Sequence, residues 1–419
     1  MAISLATSAT AVPALDLDFA RSSFSSLAGD WVFLDNAGGS QTLTAVADRV
    51  RDYLLASNVQ LGATYEPSRR AAALVAAGVA AAADLLGVTS GEVILGGSST
   101  QLLQNLARSI GEDLQPGDEV VVTDCDHESN VTPWLRLAEK GAVVRWWRTD
   151  LSALALVPEQ LDPLLSPRTR WVCFPHVSNL FGTIHPVAEM VARIHAAGAR
   201  AIVDGVAFAP HRQVEAAAWG ADAYVASVYK IFGPHIGALY VRREWLEGLA
   251  NVNHDYIERS QIPYKLQPGQ ANYELAASLP AIIEYLDEIG RRAGGEGESP
   301  DLRAAAFAAI AEHEAMLAER LLAFLRDRRG VRILGVPDGD PGKRVATVSF
   351  AVAGRNASEI PAALDARSIG IRYGDFHSRR LVQALGLSER QGVVRISMAH
   401  YNTVEEIDRT IEALADALG

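Results

Sequence analysis

Short apolar runs alternate with amphipathic stretches from about residue 45 to residue 245, the pattern of parallel strands joined by crossover helices. The runs that predict strands are Val93–Leu95, Glu119–Thr123, Val143–Trp147, Thr169–Phe174, Ala201–Val203, Ala223–Ala226 and Ala238–Val241. Between them, Arg69–Leu86, Leu102–Ile110 and Pro186–Ala197 carry apolar residues at three- and four-residue spacing and predict helices. A helical stretch, Ala276–Arg291, leads into Gly294-Gly295-Glu296-Gly297-Glu298-Ser299-Pro300, the most linker-like segment of the chain. Beyond it the pattern predicts a long helix over Leu302–Arg326 and strands over Val331–Leu334, Val345–Val352 and Gly392–Met398. An exposed loop is expected over Arg372–Arg380 and a closing helix over Val404–Ala417. The expected architecture is α/β, with a mainly parallel seven-stranded sheet in a large domain over residues 31–290. A smaller α+β domain is expected over 300–419, and a loose N-terminal arm over 1–30.

Composition narrows the classes of function. With 419 residues, 49% hydrophobic and 21% charged, the chain can bury a large core and falls outside disordered, collagen-like and coiled-coil compositions. Its 38 Lys and Arg against 50 Asp and Glu give a net charge of −12, which argues against a nucleic-acid or anionic-membrane surface and for small-molecule chemistry. Cys125 and Cys173 are too few for a disulfide framework, and no Cys/His cluster has metal-ligand spacing. A cytoplasmic protein with no structural metal is therefore expected. The first fifteen residues lack the positive region of a secretory signal, and no later stretch stays apolar for the ~20 residues a membrane span needs. No GxGxxG follows an early strand, which argues against a Rossmann nucleotide enzyme.

The most informative element is Ser227-Val228-Tyr229-Lys230-Ile231-Phe232-Gly233-Pro234, immediately after one strand and before another. Asp204 lies at the C-terminal end of the Ala201–Val203 strand, where open α/β sheets place their ligands. Strand-end Asp plus strand-end Lys is the pair that pyridoxal phosphate needs. A buried carboxylate keeps the ring nitrogen protonated, so that the ring acts as an electron sink. An amine of lowered pKa serves as nucleophile and proton shuttle. Gly96-Gly97-Ser98-Ser99-Thr100-Gln101 forms a strand-turn-helix junction able to cradle a phosphate. His127, just after the Glu119–Thr123 strand, offers a flat face to a planar ring.

Together these residues resemble the class V aminotransferases of fold type I, and within them the cysteine desulfurase and selenocysteine lyase group. The resemblance runs from Phe33-Leu34-Asp35-Asn36-Ala37-Gly38-Gly39-Ser40 to Val394-Arg395-Ile396-Ser397 with Tyr401-Asn402-Thr403. It implies pyridoxal 5'-phosphate as cofactor and an α-amino acid as substrate. Carried over by position, Ser99, Thr100 and Ser227 match phosphate ligands, His127 the stacking histidine, and Asn179 the asparagine near the cofactor's phenolic oxygen. Asp204 matches the pyridinium partner, Lys230 the Schiff-base lysine, Arg395 the clamp on the substrate α-carboxylate, and Asn36 a substrate-pocket residue. The resemblance also implies a homodimer, with Gln270 near the partner's site.

The departures bear on mechanism. Where desulfurases carry a loop cysteine that keeps sulfur as a persulfide, this chain has Arg372-Tyr373-Gly374-Asp375-Phe376-His377-Ser378, with His377 at or beside that position. Imidazole forms no persulfide, so relay from this loop is excluded, whereas direct release of a sulfur leaving group is not. The desulfurase histidine before the lysine is Tyr229, and the family's glutamine and threonine become Ala207 and Gln270. A tyrosine in that place also resembles kynureninases, so Tyr229 is either an acid/base group or a packing contact. The expected reaction is β-elimination from a sulfur-containing amino acid, with transamination, epimerisation and a non-catalytic cofactor-binding role as the alternatives. His377 is expected to contact the substrate side chain or to sit in a solvated loop.

Overall fold

The structure is a computed structural model that describes residues 14–419. In chain order the strands are β1 (Val32–Phe33), β2 (Val93–Gly96), β3 (Glu119–Thr123), β4 (Val143–Trp147), β5 (Thr169–Pro175), β6 (Arg200–Asp204) and β7 (Ala223–Ser227). They continue as β8 (Gly237–Val241), β9 (Val331–Leu334), β10 (Thr347–Val352), β11 (Ile369–Gly370), β12 (Arg372–Gly374) and β13 (Val393–Ser397). The large sheet has seven strands in the order β2-β8-β7-β6-β5-β3-β4, and only β8 runs against its neighbours. Its inner strands are mostly apolar because both faces are covered, whereas the edge strand β4 is partly exposed and carries Arg145. Val121, Val172, Val203 and Tyr224 pack on one side, and Val120, Cys173, Ile202 and Val225 on the other.

The smaller unit is an antiparallel sheet, β12-β13-β10-β9, beside a two-stranded parallel pair of β1 and β11. This pairing moves residues 32–34, which the sequence pattern groups with the large unit, into the core of the smaller one, where Val32 and Leu34 lie beside Ile369 and Ile396. Ser299–Arg326 forms one helix, and the glycine-rich segment before it is a turn that folds it back onto Pro280–Arg292. Its first half, at Ala306 and Phe307, packs in the large core, and its second half, at Leu317 and Leu321, in the small one. The helix therefore bridges the two units and does not begin the second. The expected helix over Ala276–Arg291 is interrupted where Pro280, which cannot donate to the ladder, starts a new helix.

Two further expectations need correction. Residues 1–13 of the expected loose arm lie outside the described residues, and the rest of that arm is anchored at two points, Ala20 and Phe24: a helix over Leu17–Ser22 leads to Phe24, which is buried against Phe232 and Tyr401. The stretch Arg372–Arg380 is exposed at Arg372, Tyr373, His377 and Arg379, as expected, but it is not a loop: it consists of β12, a tight turn and the start of a helix over Arg379–Ala384. Its polar side chains conceal a backbone paired to β13 and to the large unit. Among the described residues, no helix is long and apolar enough to cross a membrane, and no cluster of His, Cys, Asp and Glu could hold a metal ion.

Candidate active site

The ends of β2, β3, β5, β6 and β7 converge on one edge of the large sheet, and each delivers a polar group to it. β2 ends at Gly96, and Ser98 caps the helix Ser99–Asp113 by accepting from the Gln101 N–H at 3.1 Å. The first N–H groups of that helix have no partner within it, so its N-terminus attracts an anion. The Ser99 hydroxyl donates to the Ala226 carbonyl (3.0 Å) and lies 2.7 Å from the Ser227 hydroxyl at the end of β7. A side chain at Gly237 on β8 would put its Cβ 2.6 Å from the Ser99 nitrogen, so only glycine lets these backbones meet.

An inner chamber opens on this junction, lined by Ser98, Ser99, Thr100, Asp126, His127, Asn179, Asp204, Ala207, Ser227, Tyr229 and Lys230. An outer cavity of about 540 Å³ adjoins it, lined by Gly38, Thr100, Gln104, His127, Glu128, Asn179, Tyr229, Lys230, Arg372, Phe376, His377 and Arg395. Lys230, on the helical turn after β7, borders both. It is 8% exposed, and its amine has no hydrogen-bond partner among the described residues. Burial, reinforced by the Arg395 charge, lowers its pKa to about 8, against the opposing pull of Asp204 and Asp35. The amine is thus far more often neutral, and nucleophilic, than a surface lysine.

Asp204, at the end of β6, accepts one bond from the Val206 N–H at 2.9 Å, and its second oxygen is unspent. Burial raises its pKa to about 6, against the lowering effects of that N–H and the Lys230 charge. A buried carboxylate with a free oxygen is a site for a cationic N–H, which would restore its charge. His127 is held by Ser129, whose hydroxyl lies 2.7 Å from Nδ1. Burial, then the charges of Lys230, His377 and Arg395, push its pKa down to about 3, so its ring is a neutral wall and not an acid. Burial raises the Tyr229 phenol, which leaves it a donor and not a base. Its ring stacks on His235 at 4.7 Å.

Arg395, on β13, closes the outer cavity. Its Nη2 donates to Asp35 Oδ1 (3.0 Å) and its Nη1 to the Asn179 carbonyl (3.2 Å). Its Nε is buried with no partner among the described residues, and Nη1 and Nη2 make one bond each, which leaves the guanidinium of this cavity-lining residue further N–H groups for a carboxylate. Burial lowers its pKa to about 10, which leaves it cationic at neutral pH.

Asn36 does not join this group. Its amide donates to the Phe33 and Ser397 carbonyls (both 2.9 Å) and accepts from the Tyr401 hydroxyl (2.5 Å), so its side chain is spent on joining chain segments. The residues of that segment that border the outer cavity are Ala37 and Gly38, and Asp35 acts behind it by pairing with both Arg395 and Arg372 (3.3 Å). Asn179 lines both chambers, yet its amide binds the 376–378 turn through the Phe376 carbonyl (2.9 Å) and the Ser378 hydroxyl (2.7 Å). Gln270 is solvent-exposed and borders neither chamber. Sequence reasoning missed Asp35, Arg372 and Phe376, whose only signal was proximity to matched motifs.

A helix N-terminus with hydroxyls, a desolvated lysine, a carboxylate with a free oxygen and a neutral imidazole wall fit pyridoxal phosphate in the inner chamber. Fold and chambers together define a fold type I pyridoxal-phosphate enzyme that acts on an amino acid. The chain belongs to the class-V aminotransferase family, whose profile matches residues 32–410. It is 41% identical over 403 residues to an aminotransferase-like protein of Gibberella zeae, covering 94% of this chain and 96% of that one. It is 31% identical to a cysteine desulfurase-like protein of Aspergillus flavus, covering 94% and 88%. The crystal structure of the Escherichia coli cysteine desulfurase CsdA superposes with a TM-score of 0.81 at 25% identity, covering 96% of this chain and 98% of that one.

Proposed function

We propose that the protein is a β-eliminating carbon–sulfur lyase that acts on cysteine or an S-substituted cysteine and releases the sulfur product free. The observation that carries this reading is the placement of the only two cysteines. Cys125 and Cys173 are 1% and 0% exposed, burial pushes both thiols up, and neither borders a chamber. A sulfur atom leaving the substrate thus meets His377 and Arg372 but no thiol to store it.

In this reading the cofactor supplies an electron sink for the pair left when the Cα–H bond breaks. Arg395 holds the α-carboxylate, Lys230 takes the Cα proton, Asp204 keeps the ring nitrogen protonated and His377 contacts the sulfur substituent. The balance is R–S–CH₂–CH(NH₃⁺)–COO⁻ plus water giving R–SH, pyruvate and ammonium. Holoenzyme incubated with S-substituted cysteines should yield pyruvate, ammonium and thiol in equal amounts. A 2-oxo acid that keeps the sulfur side chain would instead establish transamination, the reading favoured by the Gibberella zeae relative's name.

His377→Ala is expected to raise KM by about tenfold, the size of one lost polar contact to the substrate side chain, and to leave the cofactor absorbance unchanged. Unchanged kinetics on every substrate would place His377 outside recognition. A cytoplasmic homodimer completes the reading, supported by two free thiols and by Tyr256, an aromatic side chain left 77% exposed. Sedimentation as a monomer at working concentration would refute the dimer.

A further inference from the structure

The turn that stands where a desulfurase keeps its cysteine is built to a fixed shape. Phe376 and His377 have φ of 51° and 61°, the left-handed region that residues with side chains seldom adopt. Such a pair persists only when its surroundings over-determine it, and here three groups of the large unit do so. The Asn179 amide donates to the Phe376 carbonyl and accepts from the Ser378 hydroxyl, and the Glu128 N–H donates to the His377 carbonyl at 2.9 Å. The Glu128 carboxylate pairs in turn with Arg380, just beyond the turn.

The consequence is the position of one ring. Phe376 lies with its centroid 3.7 Å from the guanidinium carbon of Arg395 and 5.4 Å from that of Arg372. Asp35 bridges the same two arginines at 3.0 and 3.3 Å. A ring and a carboxylate thus hold two like charges together. The ring covers a face of the Arg395 guanidinium while Asp35 and the Asn179 carbonyl take N–H groups on its edge, so its plane is fixed and the buried Nε–H remains unspent.

We infer that Phe376 is a positioning residue for substrate binding: its ring, held by the latched turn, orients the Arg395 guanidinium that receives the substrate carboxylate. This rests on the proposed role of Arg395 as the carboxylate clamp. A residue that merely filled the core would be replaced adequately by leucine, whereas a stacking ring would be replaced only by another ring.

The test measures dissociation constants of the holoenzyme by spectral titration with an α-methyl amino acid, which lacks the Cα proton, and with its methyl ester, which lacks the carboxylate. Phe376→Leu should weaken binding of the acid by about tenfold and leave the ester unchanged, and Phe376→Tyr should restore the acid to within about threefold of wild type. In turnover, Phe376→Leu should raise KM with kcat nearly unchanged. Arg395→Met serves as the control and should lose the acid and not the ester. If Arg395→Met behaves so while Phe376→Leu binds like wild type, or if Phe376→Tyr is as weak as Phe376→Leu, the positioning role is overturned and the clamp stands. If Arg395→Met does not separate acid from ester, the clamp itself fails, and the inference with it.

Discussion

Lys230→Ala is expected to lower turnover by about three orders of magnitude or more while leaving the fold intact. The two halves of that expectation have separate causes. Activity falls because, among the residues lining both chambers, Lys230 is the only amine. The fold survives because removing a desolvated ammonium without a hydrogen-bond partner relieves a burial cost, so the melting temperature should hold or rise. Borohydride treatment of the loaded protein followed by peptide mapping checks the assignment: the label should fall on Lys230 in the wild type and vanish in the variant. A persistent covalent label in Lys230→Ala would move the Schiff base to another lysine.

Asp204→Asn should still bind pyridoxal phosphate, since the helix N-terminus, Ser99 and Ser227 are untouched, yet lose at least about a hundredfold in kcat. An amide is nearly isosteric with the carboxylate and can keep the bond from the Val206 N–H. What it lacks is the negative charge that holds a proton on a ring nitrogen. The carboxyl already sits high, at about 6, because it is buried and the Lys230 charge offsets that burial only in part. Its stabilisation by a bound ring should therefore be large, and its loss correspondingly costly. Steady-state kinetics with cofactor content measured by absorbance separates the two effects, and wild-type kcat in a fully loaded Asp204→Asn enzyme would refute the electron-sink role.

Much of this site was readable before the fold was known, for a physical reason. Parallel strands buried on both faces read as short apolar runs, so β3 and β4 fall on the residues the pattern predicts and the other sheet strands within a residue or two. Residues at the ends of those strands, Asp204 and Lys230 above all, acquire meaning from that placement alone. The illegible part consists of side chains that meet across long stretches of chain. Asp35 reaches Arg395 across 360 residues because it forms a parallel bridge with Ser397 at the end of β13, an association that periodicity does not encode. Asn36 and Asp35 are adjacent, and only the fold decides that the amide is consumed by Phe33, Ser397 and Tyr401 while the carboxylate faces the clamp. The turn at 375–378 misled for the opposite reason: its polar composition matches a solvated loop, but its backbone is bonded to Asn179 and Glu128. The packed segment around Phe24 likewise has too few apolar residues to announce itself.

The central claim is that this chain keeps a desulfurase architecture without a thiol within reach of the substrate. Intact-protein mass spectrometry of the holoenzyme after many turnovers with cysteine, with sulfide, pyruvate and alanine quantified in the same sample, tests it most directly. The account predicts an unchanged protein mass and one sulfide released for each pyruvate, with no alanine. A protein carrying an extra sulfur atom, with alanine as the product, would contradict it.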